Sequence, residues 1–392
     1  MEQTESSSLD ERIDAFMQPL ANASSEFIFY SVNLFGSEIP LIVLWLMVGG
    51  LFFTIYLRFI NFRGFKHAID IVRGKFVESG DPGQISQFQA LTTAVSGTVG
   101  IGNIAGVAVA ISIGGPGATF WLIVAGLLGM STKLAECTLG VMYRRYENGV
   151  VSGGPMYYLE KGLEFKGWPK LGRALGAFYA ASMVVGCLGI GNMFQSNQAA
   201  SILVNVTGGE ASFFADQGWL LGIIMALCVG IVIIGGIKSI AATTSKLVPG
   251  MALLYIVTAL VVILMNWEKI PEAFSAIWLG AFAPEGISGG IIGVMIIGFR
   301  RAVFSNEAGL GSAAIAHSTA RTKEPISEGF VGLLEPFIDT VVICTLTALV
   351  IITTVYEPSL AGQNVAGIEL TTKAFASTLS WSPVPLSIAA VL

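Results

Sequence analysis

The sequence predicts an all-α polytopic membrane protein, and three observations carry that reading. Of 392 residues, 54% are hydrophobic and only 12% are charged, against about 25% charged in an ordinary soluble domain. Apolar runs recur along the chain, several near the roughly 20 residues that cross a hydrocarbon core as a helix. The runs are continuous, whereas a membrane β-barrel alternates apolar and polar residues over strands of about 10 residues.

The elements follow in order. The first stretch, "MEQTESSSLDERIDAF", is acidic and lacks the positive start and prompt apolar core of a signal peptide. Residues 1–38 therefore read as a polar or amphipathic extramembrane segment. Apolar segments then fall at 39–58, 89–113, 117–143, 174–204, 218–237, 245–266, 287–317 and 330–355. A last run, "PVPLSIAAVL", starts at Pro383 and is too short to span, so the expectation is a chain that stops inside a helix, as a fragment would. The transmembrane domain is then 39–392.

Orientation comes from Lys and Arg in the loops. Fourteen of them lie in one alternating set of loops, at 58–75, 144–173, 238 and 321–323, while the opposite set holds only Arg12, Lys269 and Lys373. The rich side is assigned to the cytoplasm, which puts the N-terminus outside. On the cytoplasmic side, "NFRGFKHAIDIVRGKF" spaces apolar residues as a helix lying on the membrane surface would. "SGGPMYYLEKGLEF" reads as a second such helix after a Gly-Gly-Pro turn.

Several function classes are excluded. Cys137, Cys187, Cys228 and Cys344 stand singly in apolar segments, with no metal-ligand spacing and no disulfide framework. There are two histidines, only His317 near a span, so no nucleophile–base pair or ligand cluster supports an enzyme. The Gly-Ile-Gly at 100–102 follows no strand and has no lysine of the phosphate-loop kind, so it is not a nucleotide loop. No nucleic-acid partner is expected.

What the chain offers instead is a flaw in a membrane helix. "SGTVGIGNIAG", 96–106, packs four glycines with Ser96, Thr98 and Asn103 into the second apolar segment. Each interior glycine weakens a helix by about 1 kcal/mol relative to alanine. Close packing through small residues is one explanation. Local unwinding is the other, and unwound backbone at membrane depth must be buried in protein or line a wet cavity. Carbonyls freed there suit a cation such as sodium, and N–H groups at the start of a half-helix suit a carboxylate.

The segment at 287–317 repeats the anomaly. "NIAGVAVA" (103–110) and "NEAGLGSA" (306–313) share Asn, Ala, Gly and a closing Ala. The two interrupted segments lie five apart and run in opposite directions, the signature of an inverted five-plus-five transporter repeat. The segment at 39–58 is then an extra helix, 89–266 a first repeat and 287–392 an incomplete second one. Paired breaks argue for alternating access over a channel, which would carry charge rings or a carbonyl filter.

Two further clusters stand out. "GIGNMFQSNQAA" puts Asn192 and Gln195 on one helix face beside Phe194, the amides and apolar wall an amino acid would need, although bonding between helices would use the same residues. Glu136, Arg300, Arg301, Glu307, Glu335 and Asp339 lie in or near spans, where charges pair or face water. Glu335 and Asp339, four apart, are expected on one face, and the two arginines could neutralise two of the acids. An ion-pair or gating network and direct handling of a coupling ion or proton both remain open for them.

With these residues in hand, the chain resembles the alanine or glycine:cation symporter family, the sodium:alanine symporters. "SGTVGIGNIAGVA", "GPGATFW", "KLAECTLGVMYR", "SGGPMYYL", "RRAVFSNEAGLGSAAIAH" and "FIDTVVICTLTALVI" all look like that family's signatures. The resemblance implies a leucine-transporter-like fold in a bacterial inner membrane and symport of alanine or glycine with sodium as coupling ion, with no cofactor. It implies substrate contacts at Thr98, Gly100, Gly102, Asn103, Phe194, Gln195, Met295 and Phe299, with the stretch from Ser305 to Gly309 beyond. It implies a cation against Val95, Ser96 and Thr98, completed by hydroxyls of an eighth core helix. Proton coupling and an uncoupled, channel-like permease are the alternatives.

Overall fold

The computed structural model describes residues 30–34, 37–76, 78, 80–187, 191–215, 217–283, 290–357 and 367–391, with scattered positions ahead of Tyr30. A short antiparallel hairpin, β1 (Ser31–Leu34) with β2 (Ser37–Pro40), leads into α1 (Leu41–Tyr56). The basic stretch after it folds as α2 (Ile60–Arg63) and α3 (Phe65–Val72), with Ala68 and Ile71 buried. Helix α4 (Gln87–Thr98) starts on a capping box: Ser86 Oγ accepts from Gln89 N, and Gln89 Oε1 accepts from Ser86 N. Val99 and Gly100 interrupt it, and α5 (Ile101–Gly114) resumes with a bend of 43°.

Helix α6 (Gly117–Met142) follows, then a hairpin of β3 (Arg145–Glu147) and β4 (Val150–Ser152). Its turn is Asn148-Gly149 with both φ positive, as a two-residue hairpin turn of this hand requires. Helices α7 (Pro155–Phe165) and α8 (Pro169–Gly186) each open on a proline, whose missing N–H is not needed in a first turn. Then come α9 (Asn192–Val206), α10 (Gly218–Ile234), α11 (Gly236–Met265), α12 (Ile270–Phe282) and α13 (Gly290–Asn306). The chain continues through α14 (Ser312–His317), α15 (Pro325–Thr354), α16 (Gly367–Thr378) and α17 (Pro383–Val391).

Three expectations change. The two hairpins mean that the described residues are mostly, not wholly, helical. The single segment expected at 174–204 is two helices, α8 and α9, on either side of 188–190, which lie outside the described residues. Helices α12 and α16 stand where loops were expected. Their polar residues, such as Glu272 and Lys373, interrupt the apolar run, yet both helices bury a face: α12 through Ala273, Ile277 and Ala281, and α16 through Ile368, Leu370 and Phe375.

Helix α6 is the central post, packed by α15, α13, α1, α12 and α14. Lipid tails are as apolar as leucine, so close van der Waals contact is what holds such helices together. Small residues make the contact. A Cβ on Gly329 would collide with Thr138, one on Gly117 with Gly280, and one on Gly332 would lie 2.5 Å from the Cys137 sulfur. Helix α15 is regular to Pro336, then turns as a π-helix over Phe337–Cys344 before regaining α geometry. Pro336 has no N–H to donate, and the wider turns begin at the next residue.

Among the described residues α6, α11 and α15 are each long and apolar enough to cross a membrane, and α4 with α5 makes a fourth if the bent pair is one span. Helices α1 and α10 are shorter and apolar. This is the make-up of a polytopic membrane protein.

Candidate functional site

The first break sits where the glycines are. Thr98 ends α4, Val99 is extended, and Gly100 is extended too, with φ 177°. A helix that stops leaves carbonyls without partners at its end, and one that starts leaves N–H groups without partners. Here Asn103 satisfies one of these: its Oδ1 accepts from Gly100 N at 2.7 Å. Its Nδ2 faces four acceptors, Asp339 Oδ1 at 2.6 Å, Asp339 O at 3.0 Å, Ser305 Oγ at 3.1 Å and Cys344 Sγ at 3.2 Å. One fully buried amide thus ties the break to α13 and to the π-turn of α15.

The second break, at 307–311 between α13 and α14, is built by left-handed residues. Glu307 has φ 52°, Gly309 97° and Gly311 83°. A non-glycine at positive φ is uncommon and costs of order 1 kcal/mol or more. Glu307 is held there by Ser312, whose hydroxyl donates to its carboxylate. Asn306 Oδ1 accepts from Ala308 N at 2.9 Å while its Nδ2 donates to Thr340 Oγ1 at 2.9 Å. Tyr179 donates to the Leu310 carbonyl at 3.0 Å.

Between the two breaks lies a cavity lined by Gly97, Thr98, Gly102, Gly191, Phe194, Gln195, Phe304, Glu307 and Leu310. It holds about 70 Å³ of space open to a water-sized sphere, several times the roughly 10–15 Å³ that one water requires on this measure. Phe194 and Phe304 meet edge to face across it, with centroids 5.8 Å apart. Its chemistry is mixed: one carboxylate, one amide, one hydroxyl, two aromatic rings and glycine backbone.

The structure therefore brings Thr98, Gly102, Phe194, Gln195 and Glu307 to one cavity, with Gly100 beside Gln195. It does not bring Asn103, Met295 or Phe299 there. Asn103 lies beneath the break, Phe299 belongs to the apolar core, and Met295 packs half-buried against that core. In the second interrupted segment the break falls after Asn306, about two turns beyond Phe299 and three beyond Met295. Val95 is buried, and its carbonyl accepts from Val99 N at 2.8 Å and Thr98 Oγ1 at 3.3 Å, while Ser96 Oγ donates to Thr93 O at 2.7 Å.

The intramembrane charges form a second, separate cluster. Lys133 and Glu335 pair at 2.9 Å with no exposure to speak of, 0% and 1%. His317 Nδ1 lies 2.6 Å from Glu328 Oε1, and its Nε2 is 3.9 Å from Glu335 Oε2. Glu136, one turn after Lys133 on α6, is buried too. Glu335 is thus answered by Lys133, while Arg300 is exposed and Arg301 half-buried. Glu335 and Asp339 reach different partners: Glu335 meets Lys133 on α6, and Asp339 meets Asn103 on α5.

Lys133 and Glu328 did not stand out in the sequence. The signal for Lys133 was present, a lone lysine in "MSTKLAEC" within an apolar run. Glu328 sits in the first turn of α15, where polar residues are ordinary.

At the Lys/Arg-rich face, the loops before α4 and after α14 are laced together. Gln84 N donates to Thr319 O at 2.8 Å, Arg321 N to Ile85 O at 2.8 Å and Thr322 N to Pro82 O at 3.1 Å. Lys323 lies 2.9 Å from Glu78 and 3.3 Å from Asp81. These hydrogen bonds, Glu78 first, hold its ammonium pKa above the ordinary lysine value.

Comparison with known proteins places these features in a family. A model described as the sodium:alanine symporter family matches residues 22–392. A sodium/alanine symporter of Methanococcus maripaludis is 42% identical over 314 residues, which cover 80% of this chain and 67% of the relative. An uncharacterized transporter of Haemophilus influenzae is 40% identical over 365 residues, 91% of this chain and 75% of the relative. A probable sodium/glutamine symporter of Bacillus subtilis is 34% identical over 354 residues, 90% of this chain and 70% of the relative.

Proposed function

The chain belongs to the sodium:alanine symporter family, a family of transporters and not of enzymes, and from that premise we propose that it imports a small neutral amino acid, alanine or glycine, together with sodium. The observation that carries this reading is the cavity between the two breaks. Helix α5 starts at its edge, and a helix start favours a carboxylate. Helix α4 ends there, and the carbonyls and negative dipole of a helix end favour a cation. The substrate carboxylate is assigned to the start of α5 near Gly100 and Gly102, and its ammonium to Glu307. Phe194 and Phe304 enclose a small side chain, and Gln195 offers an amide. Sodium is assigned to Val95, Ser96 and Thr98 at the end of α4.

Transport then runs by alternating access in a leucine-transporter-like inverted repeat, in a bacterial plasma membrane with the N-terminus outside. The two breaks of opposite direction and the bias of Lys and Arg support this reading. The test is uptake of radiolabelled alanine into proteoliposomes with and without an inward sodium gradient. A side chain on Gly102 would point toward Phe304, whose nearest ring atom would lie 4.0 Å from the new Cβ. Gly102→Leu therefore fills the cavity and is expected to abolish uptake. Normal uptake in that variant disproves the site, and uptake indifferent to sodium disproves the coupling.

A further inference from the structure

Arg144 follows α6 by two residues and is 8% exposed. Its guanidinium meets four backbone carbonyls and no carboxylate. Nη1 donates to Ser318 O at 2.9 Å and Ala320 O at 2.7 Å; Nη2 donates to Pro82 O at 2.9 Å and Thr322 O at 2.7 Å. The Tyr146 ring covers it, with the guanidinium carbon 5.1 Å from the centroid.

The two loops that supply the carbonyls have different parents. Pro82 belongs to the loop that leads into α4, the first half of one broken helix. Ser318, Ala320 and Thr322 belong to the loop that leaves α14, the last half of the other. Arg144 stands on neither; it is rooted at the end of the central post. Gly83 adds a close approach, since with φ 148° it leaves no room for a Cβ against Ala320. Ser318, Ala320 and Thr322 are buried, whereas Pro82 is exposed and its carbonyl also accepts from Thr322 N, so releasing the guanidinium would strand buried acceptors mainly in the loop after α14.

We infer that Arg144 is a positioning residue for transport, the lock that holds the cytoplasmic ends of the two broken helices together while the inner side is closed. The inference rests on the alternating-access reading only for its consequence. The lock itself is a statement about two loops and is tested without substrate. Opening toward the cytoplasm separates α4 from α14, so the guanidinium must give up the carbonyls of one loop. A lysine there keeps the charge but offers one ammonium with three donors, which cannot reach four carbonyls spread along a planar fork.

The experiment is hydrogen–deuterium exchange on the full chain in detergent or nanodiscs, comparing wild type, Arg144→Gln and Arg144→Lys. The amides of Gln84, Arg321 and Thr322, which cross between the loops, report the lock. They are expected to exchange about tenfold faster in Arg144→Gln, the equivalent of losing one charge-assisted hydrogen bond, and by a smaller factor in Arg144→Lys. Amides within the buried stretch of α6, around Met130 to Leu134, are expected to stay at wild-type rates. If Arg144→Gln does not fold, Arg144→Lys carries the test. Wild-type exchange at the three amides overturns the inference. So does faster exchange spread equally through α6, because that identifies a general structural staple. Failure of alanine uptake in the wild type would instead count against the proposed function and leave the exchange result standing.

Discussion

Asn103 and Asp339 meet 2.6 Å apart, side chain to side chain, with neither exposed to solvent. The contact joins the start of α5 to the π-turn of α15. It ties the geometry of the first break to a helix whose residues stand more than two hundred positions away in the chain.

That contact predicts an order among variants. Asn103→Ala leaves the Gly100 N–H without its acceptor and Asp339 Oδ1 without the Asn103 donor, although Thr340 Oγ1 still donates to Oδ2, and each buried group so stranded costs about 1–3 kcal/mol. Asn103→Asp keeps the size but sets one carboxylate against another. Asn103→Asp is therefore expected to lower the unfolding temperature more than Asn103→Ala, measured by thermal unfolding in detergent. The reverse order would show that the Asp339 carboxylate is not held in this contact.

The Lys133–Glu335 pair predicts a rescue. Removing one partner of a buried ion pair leaves an uncompensated charge and costs roughly 3–5 kcal/mol, whereas replacing both by apolar residues is often close to neutral. Lys133→Met and Glu335→Leu are each expected to be strongly destabilising, and the double variant is expected to recover most of the loss. A double variant as unstable as the sum of the singles would contradict the pairing.

Glycines divide into two kinds, and substitution separates them. A Cβ at Gly106 would meet nothing within 4 Å, while one at Gly329 would collide with Thr138 and lie 2.7 Å from Leu134 O. Gly106→Ala is expected to stabilise by up to about 1 kcal/mol through helix propensity. Gly329→Ala is expected to destabilise by pushing α15 from α6. Equal effects at the two positions, in the same thermal assay, would sink this account of the helix contact.

The cavity predicts a change in selectivity. Phe194→Ala and Phe304→Ala each enlarge it. A single methylene in an apolar pocket changes discrimination by about 10- to 200-fold. Either variant is therefore expected to raise uptake of larger neutral amino acids relative to alanine by at least about tenfold, read by competition against labelled alanine. Unchanged ratios in both would place the substrate elsewhere.

Much of this was readable in the chain itself. The apolar runs and scarce charge marked membrane helices, because a helix that crosses the hydrocarbon core needs about 20 predominantly apolar residues. The glycines at 97, 100 and 102, and those at 309 and 311, marked both breaks. Glycines clustered with polar residues are a local signal, whereas single glycines such as Gly106 and Gly126 sit inside regular helices. The same holds for Phe194 and Gln195, which are polar and aromatic residues clustered where neither is needed for spanning.

What tertiary structure decided is which group each of those residues faces. Asn103 was expected against the substrate, and folding sets it to cap Gly100 and bind Asp339. Met295 and Phe299 were expected at the cavity, and the break in their segment lies beyond them. Lys133 answers Glu335, because α6 is the helix that α15 packs against. Glu335 and Asp339, four residues apart, meet different helices, Lys133 on α6 and Asn103 on α5. Arg144 looked like one more basic loop residue, and folding surrounds it with four carbonyls from two distant loops. Composition and spacing determine where a chain breaks and what must be buried. Partners are set by helix packing and by registers that no stretch of sequence contains on its own.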